Sequence, residues 1–165
     1  YVSGHPDLAR VLRGGFKLKS DEEELIGSLD TAINKYRMPT NVAVYRGMTL
    51  TSNKLNQLMQ SKSFIDKSFI STSRSMRVAK DIVDQRLGQI PNADRLKSVL
   101  VKINVPRGFP AAPIEKVVAS TMSSTSFAKE KEIILPRNTR LAIRKISSKG
   151  EFSFIEADIV KTRKK

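Results

Sequence analysis

The period of the hydrophobic pattern changes along the chain, and this change restricts the fold more than any other feature of the sequence. Before Pro91, apolar residues recur mostly at the three- and four-residue spacing of an amphipathic helix, as at Leu25, Leu29 and Ile33. Beyond Pro91, the apolar residues form short runs typical of strands. Because helices come early and strands late, the sequence predicts an α+β fold rather than a regular alternation of strand and helix.

Start and stop signals refine this pattern into individual elements. Ser20 with Glu23 three residues later is a capping-box pattern that predicts a helix N-terminus. Thr51 or Ser52 is suited to cap a second, short helix. Further helices are predicted at residues 6–12 and 75–87, and the helix that begins at Ser20 has an apolar face to residue 36. The predicted strands are residues 41–47, 64–70, 99–105, 133–135, 141–146 and 152–159.

The length of 165 residues predicts one domain. We divide it into an N-terminal helical part (1–40), a core that carries the motifs described below (41–160) and a basic tail (161–165). Because the chain opens at Tyr1 rather than Met, we expect it to be part of a longer polypeptide. We also expect this part to be monomeric. No hydrophobic run approaches about 18 residues, so the sequence predicts neither a membrane span nor a signal peptide.

The charge is strongly positive, since 30 Lys and Arg residues against 16 Asp and Glu residues give a formal net charge of +14. Such a balance predicts an anionic partner, whether a nucleotide, a nucleic acid, an acidic protein or a membrane surface. The sequence has no cysteine, and His5 is its one histidine. We therefore expect neither a metal site built from cysteine or histidine nor a Ser-His-Asp triad. Any acid–base chemistry must use carboxylates, hydroxyls or lysines.

Two carboxylates stand at positions i and i+2 in Phe127-Ala-Lys-Glu130-Lys-Glu132, directly before an apolar run. In an extended chain, residues two apart share one face, so Glu130 and Glu132 would project side by side. Two such acids can take different roles on one substrate when their surroundings differ. The alternative is a solvated strand edge, where alternating charge discourages pairing with another strand.

An arginine and a glycine end the predicted strand at residues 41–47. The guanidinium of Arg46 is suited to bind a phosphate or a carboxylate through two parallel hydrogen bonds. The missing side chain of Gly47 would let a ligand approach the backbone. The alternative is an exposed arginine that only contacts water.

Three hydroxyl residues, Ser71-Thr72-Ser73, follow another predicted strand. Ser73 or the nearby Ser75 is suited to cap the next helix. The functional interpretation is that Ser71 donates a hydrogen bond to a catalytic carboxylate, while Thr72 and Ser73 fix the local backbone. The tripeptide alone does not decide between these interpretations.

The order Tyr45-Arg46-Gly47, then Phe69-Ile-Ser71-Thr72-Ser73, then Phe127-Ala-Lys-Glu130-Lys-Glu132 resembles the arginine–serine–glutamate signature of mono-ADP-ribosyltransferases. It is most similar to the bacterial exoenzyme and actin-modifying toxin branch. The resemblance implies two small, roughly perpendicular β-sheets flanked by helices, with NAD as co-substrate in the cleft between them. It also implies a toxin or effector domain that is secreted or injected and acts in the cytoplasm of a target cell.

The resemblance also implies the role of each motif residue. Arg46 would bind a phosphate of NAD, Gly47 would contact the nicotinamide amide through its backbone, and the hydroxyls of residues 71–73 would line the same site. Ser71 would orient Glu132, whose carboxylate would bind the nicotinamide ribose and stabilise its positive charge as nicotinamide leaves. Arg74 and Arg77 would add phosphate contacts. No metal is implied, because the leaving group of NAD already carries a positive charge.

The acceptor side of the site is predicted from Glu130 and Phe127. In the family, Glu-x-Glu implies an arginine acceptor on a target protein, so Glu130 would engage that arginine and Phe127 would contact the target. One alternative is transfer to nucleic acid, which the charge of +14 favours, although the 6% aromatic content offers no obvious row of rings for base stacking. Another is a module that binds NAD or an anionic partner without turnover.

Overall fold

The computed structural model describes residues 8–15, 17–92, 95–114 and 132–160. The helices are α1 (Leu8–Gly14), α2 (Ser20–Lys35), α3 (Ser52–Ser61) and α4 (Met76–Gln89). The strands are β1 (Val42–Thr51), β2 (Ser63–Asp66), β3 (Ile70–Ser73), β4 (Leu96–Val105), β5 (Ala112–Pro113), β6 (Glu132–Leu135), β7 (Thr139–Lys149) and β8 (Phe152–Ile159). The predicted α+β class is confirmed.

The run predicted as one strand at residues 64–70 is two strands, so that prediction is wrong. Strand β2 ends at Asp66, whose Oδ1 accepts a hydrogen bond of 3.0 Å from the backbone N–H of Ser68. This contact stabilises the bend at residues 67 and 68. The chain then re-enters the sheet as β3, which pairs with different neighbours from those of β2.

The eight strands are hydrogen-bonded in the order β2-β7-β8-β4-β1-β3-β6-β5. Strands β1 and β4 pair over their whole length, whereas β1 and β3 share only the pair Tyr45 and Ser73. This narrow junction divides the sheet into a five-stranded part and a three-stranded part. The two sheets that the resemblance implied are therefore joined by hydrogen bonds at this one position.

The buried apolar side chains form two clusters on opposite faces of β3 and β6. Ile70, Ile133 and Leu135 belong to the larger cluster, which includes the inner faces of β1, β4 and β8. Phe69 and Ile134 point the other way and pack with the apolar face of α2. Alternation along the strands thus places core on both sides of the three-stranded part. Within the described residues, no helix is long and apolar enough to cross a membrane.

Candidate active site

The junction of the two parts of the sheet aligns three residues on adjacent strands. Tyr45 of β1 is opposite Ser73 of β3, and Ser73 is opposite Glu132 of β6. Residues two apart on a strand share a face, so Ser71 lies on the same face as Ser73 and next to Glu132. Ser71 Oγ donates a hydrogen bond to Glu132 Oε1. The carboxylate that begins β6 is buried, with 5% exposure, and the neighbouring strand orients it.

The other two hydroxyls of the serine motif hold the local structure. Thr72 Oγ1 donates a 2.6 Å hydrogen bond to the carbonyl of Ile133 and so joins β3 to β6 beside Glu132. Ser73 Oγ accepts a 3.0 Å hydrogen bond from the backbone N–H of Ser75. Ser75 is the N-cap of α4, because its Oγ accepts from the N–H of Val78. The motif therefore fixes both the strand that carries Glu132 and the start of α4.

Close packing against α4 explains why position 47 is a glycine. A Cβ at this position would overlap the carbonyl oxygen of Ala79 and the Cγ2 of Val83, both on α4. The space left by the missing side chain is therefore filled by a helix, while the backbone of Gly47 lines the cleft. A ligand contact by the Gly47 backbone stays a prediction.

Arg46 is held by an acidic neighbour that sequence analysis did not single out. Its side chain is 17% exposed, and its NH1 lies 3.6 Å from Oδ2 of Asp66. Asp66 also receives two hydrogen bonds from Arg13 of α1, from Nε at 3.0 Å and from NH2 at 2.9 Å. One carboxylate thus lies between a helix arginine and the arginine of the predicted site.

A small cleft of about 70 Å³ brings the predicted residues together. Its walls are the β1–β3–β6 junction and one face of α4. Its lining residues are Tyr45, Arg46, Gly47, Ser71, Thr72, Ser73, Val78, Ala79, Ile82, Arg86 and Glu132. Six of the predicted site residues lie here, so the arginine, the serine and the glutamate share one cleft although they are far apart in the sequence.

Two further predicted site residues in the described part of the chain lie outside the cleft. Arg74 is exposed, and Arg77 is 91% exposed and pairs with Asp81 at 4.0 Å; neither lines the cleft. Arg86 does line it, although no motif of the sequence marked it. Phe127 and Glu130 lie outside the described residues. In the described ranges, no group of three or more His, Cys, Asp or Glu side chains is arranged to hold a metal ion.

The fold is shared with solved ADP-ribosyltransferase toxins. The chain belongs to the ADP-ribosyltransferase exoenzyme family, whose sequence profile matches residues 6–164. A curated relative, the NAD(+)–arginine ADP-ribosyltransferase EFV of Enterococcus faecalis, is 29% identical over 119 residues, which are 72% of this chain and 21% of the relative. The chain thus spans about a fifth of the length of that relative.

Two solved structures illustrate the likeness of fold. The ADP-ribosyltransferase Vis of Vibrio splendidus, in complex with agmatine, has a TM-score of 0.72 and 24% identity and matches over 97% of this chain and 70% of that one. Exoenzyme S of Pseudomonas aeruginosa, in complex with human 14-3-3 protein beta and bound to carba-NAD, has a TM-score of 0.67 and 17% identity. That match covers 93% of this chain and 66% of the other.

Proposed function

We propose that this chain is a catalytic domain that transfers ADP-ribose from NAD to an arginine side chain of a target protein and releases nicotinamide. The observation that carries the proposal is the hydrogen bond from Ser71 to the buried Glu132, in the same cleft as Arg46. Membership of the ADP-ribosyltransferase exoenzyme family supports it.

Glu132 supplies the central chemistry of the proposed reaction. Nicotinamide leaves with the electron pair of the bond to ribose, and positive charge develops on the ribose carbon. A carboxylate held beside that carbon stabilises the charge, as in glycoside hydrolysis. The acceptor nitrogen then forms the new bond with its lone pair and loses a proton. Ser71 contributes by holding Glu132 in one orientation, so that little reorganisation is needed during the reaction.

The side chains of the cleft are suited to NAD as co-substrate. Arg46 supplies a guanidinium for the diphosphate, and arginine binds phosphate oxygens through two parallel hydrogen bonds. Arg86 lines the same cleft and offers a second cation. We therefore favour Arg86 over Arg74 and Arg77 for an additional phosphate contact. The backbone of Gly47 and the hydroxyls of residues 71–73 complete the proposed cofactor site.

Arginine is the acceptor that the relatives favour. EFV is named as an arginine ADP-ribosyltransferase, and agmatine, which is bound to Vis, carries the guanidinium group of arginine. We propose that Glu130 binds and deprotonates the acceptor guanidinium and that Phe127 contacts the target protein. We further propose that the chain is a monomeric toxin or effector domain of a longer protein, which is secreted or injected and acts in the cytoplasm of a target cell.

The proposal is tested by incubating the 165-residue chain with biotin-labelled NAD and cell lysate. We expect labelled protein bands, and we expect Glu132→Gln to lower labelling at least about a hundredfold. Glu156→Gln is the matched control, because Glu156 lies on β8 and does not line the cleft. Unchanged labelling by the Glu132→Gln variant would contradict the catalytic assignment.

Glu130→Gln tests the division of roles between the two glutamates. If Glu130 acts only on the acceptor, the variant loses transfer to arginine but still hydrolyses NAD slowly to ADP-ribose. Liquid chromatography of the nicotinamide released with and without agmatine measures both reactions. Equal loss of transfer and hydrolysis would show that the roles are divided wrongly.

Transfer to nucleic acid is the second candidate, because the formal net charge of +14 favours a polyanionic partner. Digestion of the labelled lysate separates the two candidates. Label removed by protease supports the protein acceptor, and label removed by nuclease supports the nucleic acid. A wild-type chain that binds NAD but transfers no label to any acceptor would instead be a binding module.

A further inference from the structure

The carboxylate of Asp66 joins two arginines beside the cleft, and nothing in the motif pattern gave it a role. It accepts two hydrogen bonds from Arg13 and lies 3.6 Å from Arg46. We propose that Asp66 is a positioning residue for NAD binding, which holds the Arg46 guanidinium in place before the dinucleotide arrives. This inference rests on the proposed function, in which Arg46 binds a phosphate of NAD.

The backbone fixes the position of this carboxylate independently of the arginines. Asp66 is the last residue of β2 and is opposite Thr139 of β7 in the sheet. Its Oδ1 accepts a 3.0 Å hydrogen bond from the N–H of Ser68, which is fully buried. The side chain of Asp66 itself is only 11% exposed. A short side chain with few rotamers, held by its own turn, can position longer and more flexible partners.

Arg46 needs such a partner because an arginine side chain has many rotamers, and ordering it on ligand binding costs conformational entropy. Contact with a fixed carboxylate selects a subset of these rotamers in advance. Asp66 also lies between Arg46 and Arg13, so it reduces the repulsion between two guanidinium groups. Two guanidiniums and one carboxylate leave a net positive charge, which still favours an anionic phosphate.

The proposal predicts that Asp66 acts on NAD through Arg46, and a double-mutant cycle measures this coupling. The dissociation constant for NAD is measured by NMR titration, which reports weak as well as tight binding. We expect Asp66→Asn to raise the dissociation constant about tenfold, which lies within the coupling range of residues that share one ion-pair network. In an Arg46→Ala background, the same substitution should change it less than about twofold.

Asp158→Asn is the matched control. Asp158 is also a carboxylate bound by an arginine, since Arg144 Nε donates to its Oδ2 at 2.6 Å, but it does not line the cleft. We expect this variant to bind NAD as the wild type does. Circular dichroism and thermal unfolding verify that each variant is folded. If Asp66→Asn is unfolded at room temperature, Asp66→Glu takes its place in the cycle, because it keeps the charge and moves the carboxylate by one methylene.

The outcomes separate this inference from the proposed function. If Arg46→Ala binds NAD as tightly as the wild type, the phosphate role of Arg46 is wrong, and with it the basis of the inference. If Arg46→Ala weakens binding while the Asp66 variant has no effect, only the positioning role of Asp66 is overturned. The same holds if the Asp66 variant weakens binding equally in both backgrounds, because Asp66 would then act without Arg46.

Discussion

At Gly47, strand β1 passes so close to helix α4 that no side chain fits between them. A Cβ there would overlap a backbone oxygen of Ala79 and a side-chain carbon of Val83. Ala79 also lines the cleft, and Gly47 is next to Arg46 in the sequence. The absence of one carbon atom therefore determines how close the helical wall of the cleft lies to the arginine.

Replacing Gly47 with alanine should destabilise the protein by about 1–3 kcal/mol, because α4 or β1 has to move to relieve the overlap. Urea denaturation measures the change in the free energy of unfolding. Gly88→Ala is the matched control. Gly88 lies on α4, the helix that Gly47 contacts, and a Cβ at position 88 would meet nothing within 4 Å. In that helical position alanine should stabilise by up to about 1 kcal/mol. A neutral Gly47→Ala substitution would contradict the packing argument.

Ser71 and Glu132 could be predicted from the sequence because each belongs to a short motif that requires particular residue types. Asp66 and Arg86 could not, because a single charged residue on a strand or a helix is usually exposed. Their relevance follows only from tertiary contacts, namely the ion pair between Asp66 and Arg46 and the position of Arg86 on the cleft wall. Arg74 and Arg77 were predicted as phosphate contacts only because they follow the serine motif in the sequence, and closeness in sequence does not show whether a side chain faces the cleft.

Among the elements, α4 connects stability to the site most directly. Ser75 caps its N-terminus, Ser73 accepts a hydrogen bond from the N–H of that cap, and Val78, Ala79 and Ile82 line the cleft. Loss of the cap would loosen the first turn of the helix, where Val78 and Ala79 lie.

Ser75→Ala should lower the free energy of unfolding by about 1 kcal/mol and also raise the dissociation constant for NAD. Thr51→Ala is the matched control, because Thr51 caps α3 by accepting from the N–H of Lys54 at 3.3 Å. We expect it to cost a similar free energy without changing NAD binding, since α3 contributes no residue to the cleft lining. Equal effects of the two substitutions on NAD binding would show that α4 does not shape the site.

Most helices and strands were predictable because their hydrophobic periods are clear, but local contacts set their ends. The predicted capping box at Ser20 lies one residue too late, since Glu22 Oε2 accepts from the N–H of Lys19 at 2.8 Å. The division of residues 63–73 into β2 and β3 depends on the contact between Asp66 and Ser68. Strand β5 has two residues, too few to give a periodic signal.

At the scale of the whole molecule, the sequence pattern indicates which segments are strands but not which strands pair. Strands β4 and β8 are parallel neighbours with Ser98 opposite Phe152, although β5, β6 and β7 lie between them in the chain. Periodicity contains no information about such long-range partners. The resemblance to the arginine–serine–glutamate signature predicted that the three motifs meet in one cleft. They can meet only if β1, β3 and β6 are adjacent.

The parallel pair carries a polar network that should make stability depend on pH. Hydrogen bonds from Lys102 and then Asn104 lower the pKa of Glu156, and hydrogen bonds from Asn104 and then Arg144 lower the pKa of Asp158. The ordinary values are 4.5 for Glu156 and 3.8 for Asp158. A carboxylate whose pKa is lower in the folded state stabilises that state fully at pH values above the ordinary pKa of the group. This contribution is lost as the pH falls through the lowered pKa.

Asp158→Asn should therefore lower the melting temperature near pH 7, where the charged carboxylate accepts hydrogen bonds from Asn104 and Arg144. The difference from the wild type should shrink as the pH falls below 3.8, the ordinary value for this group, because protonated aspartic acid no longer carries the charge that binds Arg144. Thermal unfolding from about pH 7 to about pH 2 measures this difference. If it stays constant over that range, the network does not stabilise the fold through the charge of Asp158.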